Sequence, residues 1–184
     1  MIQNRGFTFN GIHSSQFNVY CDPSSRILLP EKRRTQTTVP GRSGVYVQED
    51  GAYNSRSESF TCTYTRKPGT DIAHQARDIA LWLSESGVLR FDSEPDKYYD
   101  AYFTGALPLT RHLMYGEFTL TFTYSPPFAY TEQQAKEKTL TGAAESITID
   151  SDATAPTPCR IIIDNIGTTT IRNLRIGYQH NDRR

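Results

Sequence analysis

The feature that most constrains this chain is a strict period of two in its aromatic, aliphatic and threonine residues. From Glu117 to Tyr124, Phe118, Leu120, Phe122 and Tyr124 alternate with Thr119, Thr121 and Thr123. Successive side chains of an extended strand point to opposite faces, so this segment reads as a strand with one buried and one wet face. Ser59 to Thr65 repeats the arrangement, with Phe60, Cys62 and Tyr64 against Thr61, Thr63 and Thr65. The two strands are expected to share a core. Val45 to Gln48 and Ala52 to Ser55 flank Asp50-Gly51, a dipeptide suited to the positive φ angles of a tight hairpin turn, so a hairpin is expected there.

One segment departs from this rhythm. Across Asp71 to Ser86, Ile72, Ala76, Ile79 and Leu83 fall within about 60° of arc at 100° per residue, which predicts a helix with one apolar stripe. Thr70 is suited to cap its start, Asp71 complements the helix dipole, and Gly87 is suited to the left-handed residue that ends many helices. Leu81 lies opposite the stripe, with Trp82 on its flank. A lone exposed leucine is ordinary; the functional alternative is a subunit contact at Leu81 and Trp82.

The composition changes after Pro126-Pro127, where TEQQAKEKTLTG is polar and rich in lysine and glutamate, placing a linker at residues 131–138 between domain 1–130 and a second unit, 139–184. In that unit, Glu145 to Ile149, Cys159 to Asp164 and Thr169 to Ile176 read as three short strands. A β-sandwich needs seven or so strands, so this unit is expected to be an incomplete β-domain. The expected class is therefore mainly β (α+β): an N-terminal β-sandwich with one packed helix, then a partial second β-domain.

Charge and chemistry narrow the function. Among 184 residues, 20 basic side chains balance 20 acidic ones, so the chain lacks the net positive field of a non-specific nucleic-acid binder. No apolar run reaches the roughly 20 residues of a membrane span, and the opening MIQNRGFTFNG has no secretory core. Cys21, Cys62 and Cys159 are scattered and odd in number, which argues against a disulfide framework or zinc site; Cys62 is expected to be a buried free thiol. His13, His74, His112 and His180 show no metal spacing and are expected at the surface. Asp92, Glu94 and Asp96 begin like a calcium loop, but Lys97 stands where the turn glycine belongs and Phe103 where the twelfth-position glutamate belongs, so a turn leading into a strand is expected. PGRSG at 40–44 precedes a strand and lacks a phosphate-loop lysine; it reads as a structured turn. No catalytic, metal or cofactor set emerges, and a non-enzymatic role is expected. Lys32, Arg33 and Arg34 form a basic cluster beside a strand, either a solvated edge that discourages strand addition or a dock for an acidic partner.

Four segments, in order, resemble the siphophage distal tail protein family: GFTFNGIHSSQF from Gly6, VPGRSG from Val39, LRFDSEPDKYYDAYF from Leu89, and GEFTLTFTYSPPFAY ending at Tyr130. The resemblance spans residues 6–130, about two thirds of the chain. It implies a ring-forming β-sandwich domain with a helix against it, a homohexameric ring that joins the tail tube protein to tail-tip or tail-associated proteins in the tip or baseplate of a phage or prophage. Receptor-binding proteins are further implied partners. DNA would pass through the channel without specific binding, and the protein would sit at the virion tail tip after assembly in the bacterial host cytoplasm. The stretch APTPCRIIIDNIG resembles the start of that family's galectin-like or carbohydrate-module-like C-terminal domain. The competing function is a carbohydrate- or receptor-binding module, for which Tyr98, Tyr99, Tyr102, Tyr115, Tyr124 and Tyr130 could stack on sugar rings.

Overall fold

In a computed structural model of the full chain, the residues described are 6–21, 27, 29–106, 115–141, 145–149, 153–155, 157 and 159–177. They contain ten strands and one α-helix: β1 Phe7–Phe9, β2 Ile12–His13, a 3-10 turn Ser14–Phe17, β3 Val19–Cys21, β4 Lys32–Thr38, β5 Val45–Tyr53, β6 Arg56–Thr65, α1 Ile72–Trp82, β7 Gly87–Phe91, β8 Lys97–Phe103, β9 Tyr115–Tyr124 and β10 Tyr130–Thr131. Eight strands form one antiparallel sheet in the order β2-β1-β7-β8-β9-β6-β3, with β10 added on β8, while β4 and β5 form a separate two-stranded sheet.

The two strands read from periodicity are the centre of the main sheet. β6 pairs with β9 along its whole length, setting Phe60 opposite Leu120 and Cys62 opposite Phe118. Alternate side chains enter the core with Phe7, Phe9, Leu89 and Phe91 from β1 and β7. The sheet curls around them. Phe7 and Phe122 stand three strand spacings apart, about 14 Å in a flat sheet, yet their ring centroids are 5.6 Å apart. Phe60 and Phe91, equally distant in strand order, meet at 5.2 Å. The mainly-β class with one packed helix holds, and its core is enclosed by one curled sheet instead of the expected pair of facing layers.

The helix closes the core with a phase shifted from the expected stripe. Ile79 and Leu83 are buried as predicted, but so are Gln75 and Trp82. Trp82 stacks on Phe7 and Phe17 at 5.3 and 4.8 Å and donates its indole N–H to the Phe9 carbonyl, so it is a core anchor and not a flank residue. Gln75 satisfies three backbone groups: its amide nitrogen donates to the Phe17 and Thr65 carbonyls, and its oxygen accepts the Lys67 N–H. The ends differ from expectation too. Asp71, not Thr70, is the N-cap, without a side-chain cap bond, and the helix stops at Leu83 in right-handed conformation. Gly87 instead opens β7, where a Cβ would collide with the Asn10 side chain that accepts the Val88 N–H.

A further expectation is corrected. Cys62 is not a free thiol: it lies directly opposite Cys21 on β3, and the two are joined as a disulfide across 41 residues of sequence. No spacing motif marks such a pair, because register alone brings it together.

The chain divides into Met1–Thr141 and Gly142–Arg184. The strands expected at 145–149, 159–164 and 169–176 are absent among the described residues of the second unit. Ile161, Ile162, Ile163, Ile166, Ile171 and Ile176 are exposed there. A strand is stabilised by burying one face against its neighbours, and the apolar side chains of these segments are exposed among the described residues.

Candidate interaction surface

The sheet formed by β4 and β5 has the opposite character from the core. Every residue of β4 is exposed, and so is β5 from Val45 to Gly51. The turn between them spans residues 39–44, with Gly41 and Gly44 at positive φ. The Asp50-Gly51 pair is not the hairpin turn expected from the sequence. It is a bulge inside β5: the register jumps from Lys32 opposite Tyr53 to Arg34 opposite Glu49, and Gly51 takes a φ of 78°. Asp50 accepts the Ala52 N–H, a local bond that competes with the ladder and fixes the bulge.

Lys32, Arg33 and Arg34 lie on this ribbon, and each faces a carboxylate. Arg33 donates to Asp50 at 2.6 Å, Arg34 donates to Glu49 at 2.7 Å, and Lys32 stands 3.9 Å from Glu49. The hydrogen bond from Arg33 holds the Asp50 carboxyl below its ordinary value of 3.8. The cluster is therefore locally neutralised, which removes the free basic patch that the sequence alone suggested. Val45, Tyr46 and Val47 follow one another on β5 and are all exposed, as is Val39 in the turn. In a strand, consecutive positions face opposite ways, so both faces of the ribbon carry apolar side chains.

Of the expected subunit contacts, Leu81 is 76% exposed and Trp82 only 7%. Leu81 thus remains available and Trp82 does not. The valines of β5 were missed by sequence reasoning, although the run Val-Tyr-Val, apolar on both faces, was the signal.

The tyrosines proposed for sugar stacking divide similarly. Tyr99 and Tyr124 are core residues. Tyr98 stacks on Tyr130 at 5.6 Å and lies beneath the Arg90 guanidinium, which also pairs with Glu132. Tyr102 is exposed; the side chain of Tyr115 lies outside the described residues. Asp92, at the start of the calcium-like segment, accepts from or pairs with His13 Nε2 at 3.1 Å, while Glu94 contacts Lys97 at 3.6 Å. Those carboxylates serve turn contacts, and His13, whose Nδ1 accepts the Ser15 N–H, caps the 3-10 turn.

A family model described as phage tail protein RIFT-related domain matches residues 12–124, from the start of β2 to the end of β9. The chain belongs to that phage tail family. This agrees with the sequence resemblance to siphophage distal tail proteins. The phage tail domain is also similar in fold to the crystal structure of the SPP1 Dit (gp 19.1) protein, described as a paradigm of the hub adsorption apparatus in phages infecting Gram-positive bacteria. The TM-score is 0.53 at 14% identity, covering 68% of this chain and 51% of that one. The chain thus spans about half the length of that hub protein. No curated protein matches it.

Proposed function

We propose that this chain is a structural hub subunit of a phage tail tip or baseplate, six copies closing a ring between the tail tube and tip proteins. The family supports a tail role, and the hub-like fold suggests the position. The observation that carries the ring is the β4–β5 ribbon. An isolated two-stranded hairpin is marginal in water, and this one exposes Val45 and Val47 on one face and Tyr46 on the other, uncovered among the described residues. A neighbouring protomer would supply the missing cover. A closed ring requires a head-to-tail contact in which the arm of one copy meets a different surface of the next; the exposed Leu81 is a candidate for that second surface.

The same geometry supports a passive conduit. Duplex DNA is held mainly through salt-dependent contacts of lysine and arginine with phosphates. Here Lys32, Arg33 and Arg34 already face Glu49 and Asp50. The role is mechanical, not catalytic, with tail tube, tail-associated and receptor-binding proteins as partners, at the virion tail tip after assembly in the host cytoplasm. Native mass spectrometry of the full chain should find a six-subunit particle or a pair of them. A protein that stays monomeric at high concentration and does not join tail tubes contradicts the ring.

A further inference from the structure

The inward phase of β6 does not end at Phe60. Counting back by two places Glu58 and then Arg56 in the core, and both are buried, at 4% and 8% exposure. Arg56 Nε lies 3.4 Å from Glu58 Oε1, and its guanidinium sits 4.8 Å from the Tyr124 ring centroid and 5.6 Å from that of Tyr99. Glu58 accepts the Tyr124 hydroxyl at 3.0 Å. Burying two charges is costly, and a well-packed apolar pair in the same place is often as stable or more so. Stability is therefore a poor explanation for this pair.

Its remaining bonds point to another. The Ile27 N–H donates to Glu58 Oε1 at 2.8 Å, and the Ile27 carbonyl accepts from Arg56. The two side chains thus hold both backbone groups of one residue. Among the described residues β3 pairs with β6 over Cys62 to Tyr64, and no strand pairing includes Ile27. Ile27 lies just before β4, and Arg56 opens the strand that follows β5, so the grip closes the base of the exposed arm. Two other contacts lie at the same base: Asn54 N–H donates to the Glu31 carbonyl at 2.9 Å, and Tyr53 meets Phe128 edge to face at 5.2 Å.

We propose that Arg56 and Glu58 are positioning residues for the β4–β5 arm: a buried ionic clasp on the Ile27 backbone that fixes where the arm leaves the sheet. Directional bonds give what apolar packing does not, a single place for one N–H and one carbonyl. The clasp presets the arm before any partner arrives and so lowers the ordering cost of docking. It rests on the arm geometry and stands apart from the number of subunits in a ring.

The test uses the full chain with hydrogen exchange and thermal melting. Replacing the pair together, Arg56→Met with Glu58→Leu, should leave the melting midpoint unchanged or raised. Amide exchange across residues 29–38 and 45–54 should accelerate by about tenfold or more while β6 and β9 stay protected, the signature of a local opening. Ile27→Pro removes the N–H held by Glu58, fixing φ at the same position, and should loosen the same residues with the charged pair intact. Arm protection unchanged in both variants overturns the clasp. So does a double variant whose sheet and arm loosen in parallel, because the pair would then support the sheet itself.

Discussion

β6 and the β4–β5 ribbon are built from similar strand-forming residues and are joined directly in sequence, yet one is half buried and the other exposed along most of its length. In β6, Arg56, Glu58, Phe60 and Cys62 are buried while Ser57, Ser59, Thr61 and Thr63 are exposed. In β5, Val45, Tyr46 and Val47 put apolar groups on both faces and all are exposed. Strict alternation belongs to a strand with one face on a core and one in water, whereas a strand apolar on both faces is suited to cover on both sides. The first pattern is completed within the chain. The second is left uncovered among the described residues.

If that contrast is right, core substitutions act on stability and arm substitutions on assembly. The largest effect is expected for Trp82→Ala, which removes the ring stacked on Phe7 and Phe17 and should cost about 3–5 kcal/mol. Denaturant titration should show the helix and sheet signals falling together; a loss below about 1 kcal/mol would mean that the helix is not part of the core's cooperative unit. Next comes Gln75→Leu, which strands the Phe17 and Thr65 carbonyls and the Lys67 N–H. A cost of about 1–3 kcal/mol is expected, and a neutral result would show that water replaces these bonds. Leu81→Asp should change stability by no more than about 0.5 kcal/mol, in contrast to Leu83→Asp at a buried position. The two variants melting alike would break the helical phase.

The smallest effect separates arm from sheet by acid. Asp50 is held below its ordinary value of 3.8, chiefly by the hydrogen bond from Arg33. A carboxyl with a depressed folded value contributes stability that is fully present above its unfolded value and lost as pH falls through the folded one. Amide protection in the arm should therefore weaken below about pH 4, less so at high salt where the Arg33 pairing is already screened, before the sheet responds. Arm and sheet losing protection at one pH would show that Arg33–Asp50 does not report on the arm separately.

The sequence made the core legible where its pattern was local. Period-two alternation identified β6 and β9, and the helical stripe found Ile79 and Leu83. It failed where partners are distant in sequence. Cys21 meets Cys62 only through strand register, and Trp82 is drawn inside by Phe7 and Phe17 from other elements. Asp50-Gly51 resembles a turn equally well whether it reverses the chain or bulges one strand; the glycines at 41 and 44 had already made the reversal. At the candidate surface the basic triplet was visible, but its neutralisation by Glu49 and Asp50 required the pairing of β4 with β5. The buried Arg56 and Glu58 were legible in principle, since the phase that places Phe60 inside also places them there.

In the proposed ring, the arm would join copies while the sheet holds each copy together. Val45→Asp with Val47→Asp puts charges on exposed positions of the arm and touches nothing in the core. Native mass spectrometry beside thermal melting tests the claim most directly. A multimeric ring is expected for the native chain and a monomer for the variant at the same concentration, with melting midpoints within a few degrees of each other, as expected for a change of well under about 1 kcal/mol in protomer stability. A variant that assembles like the native chain, or one whose fold collapses, contradicts it.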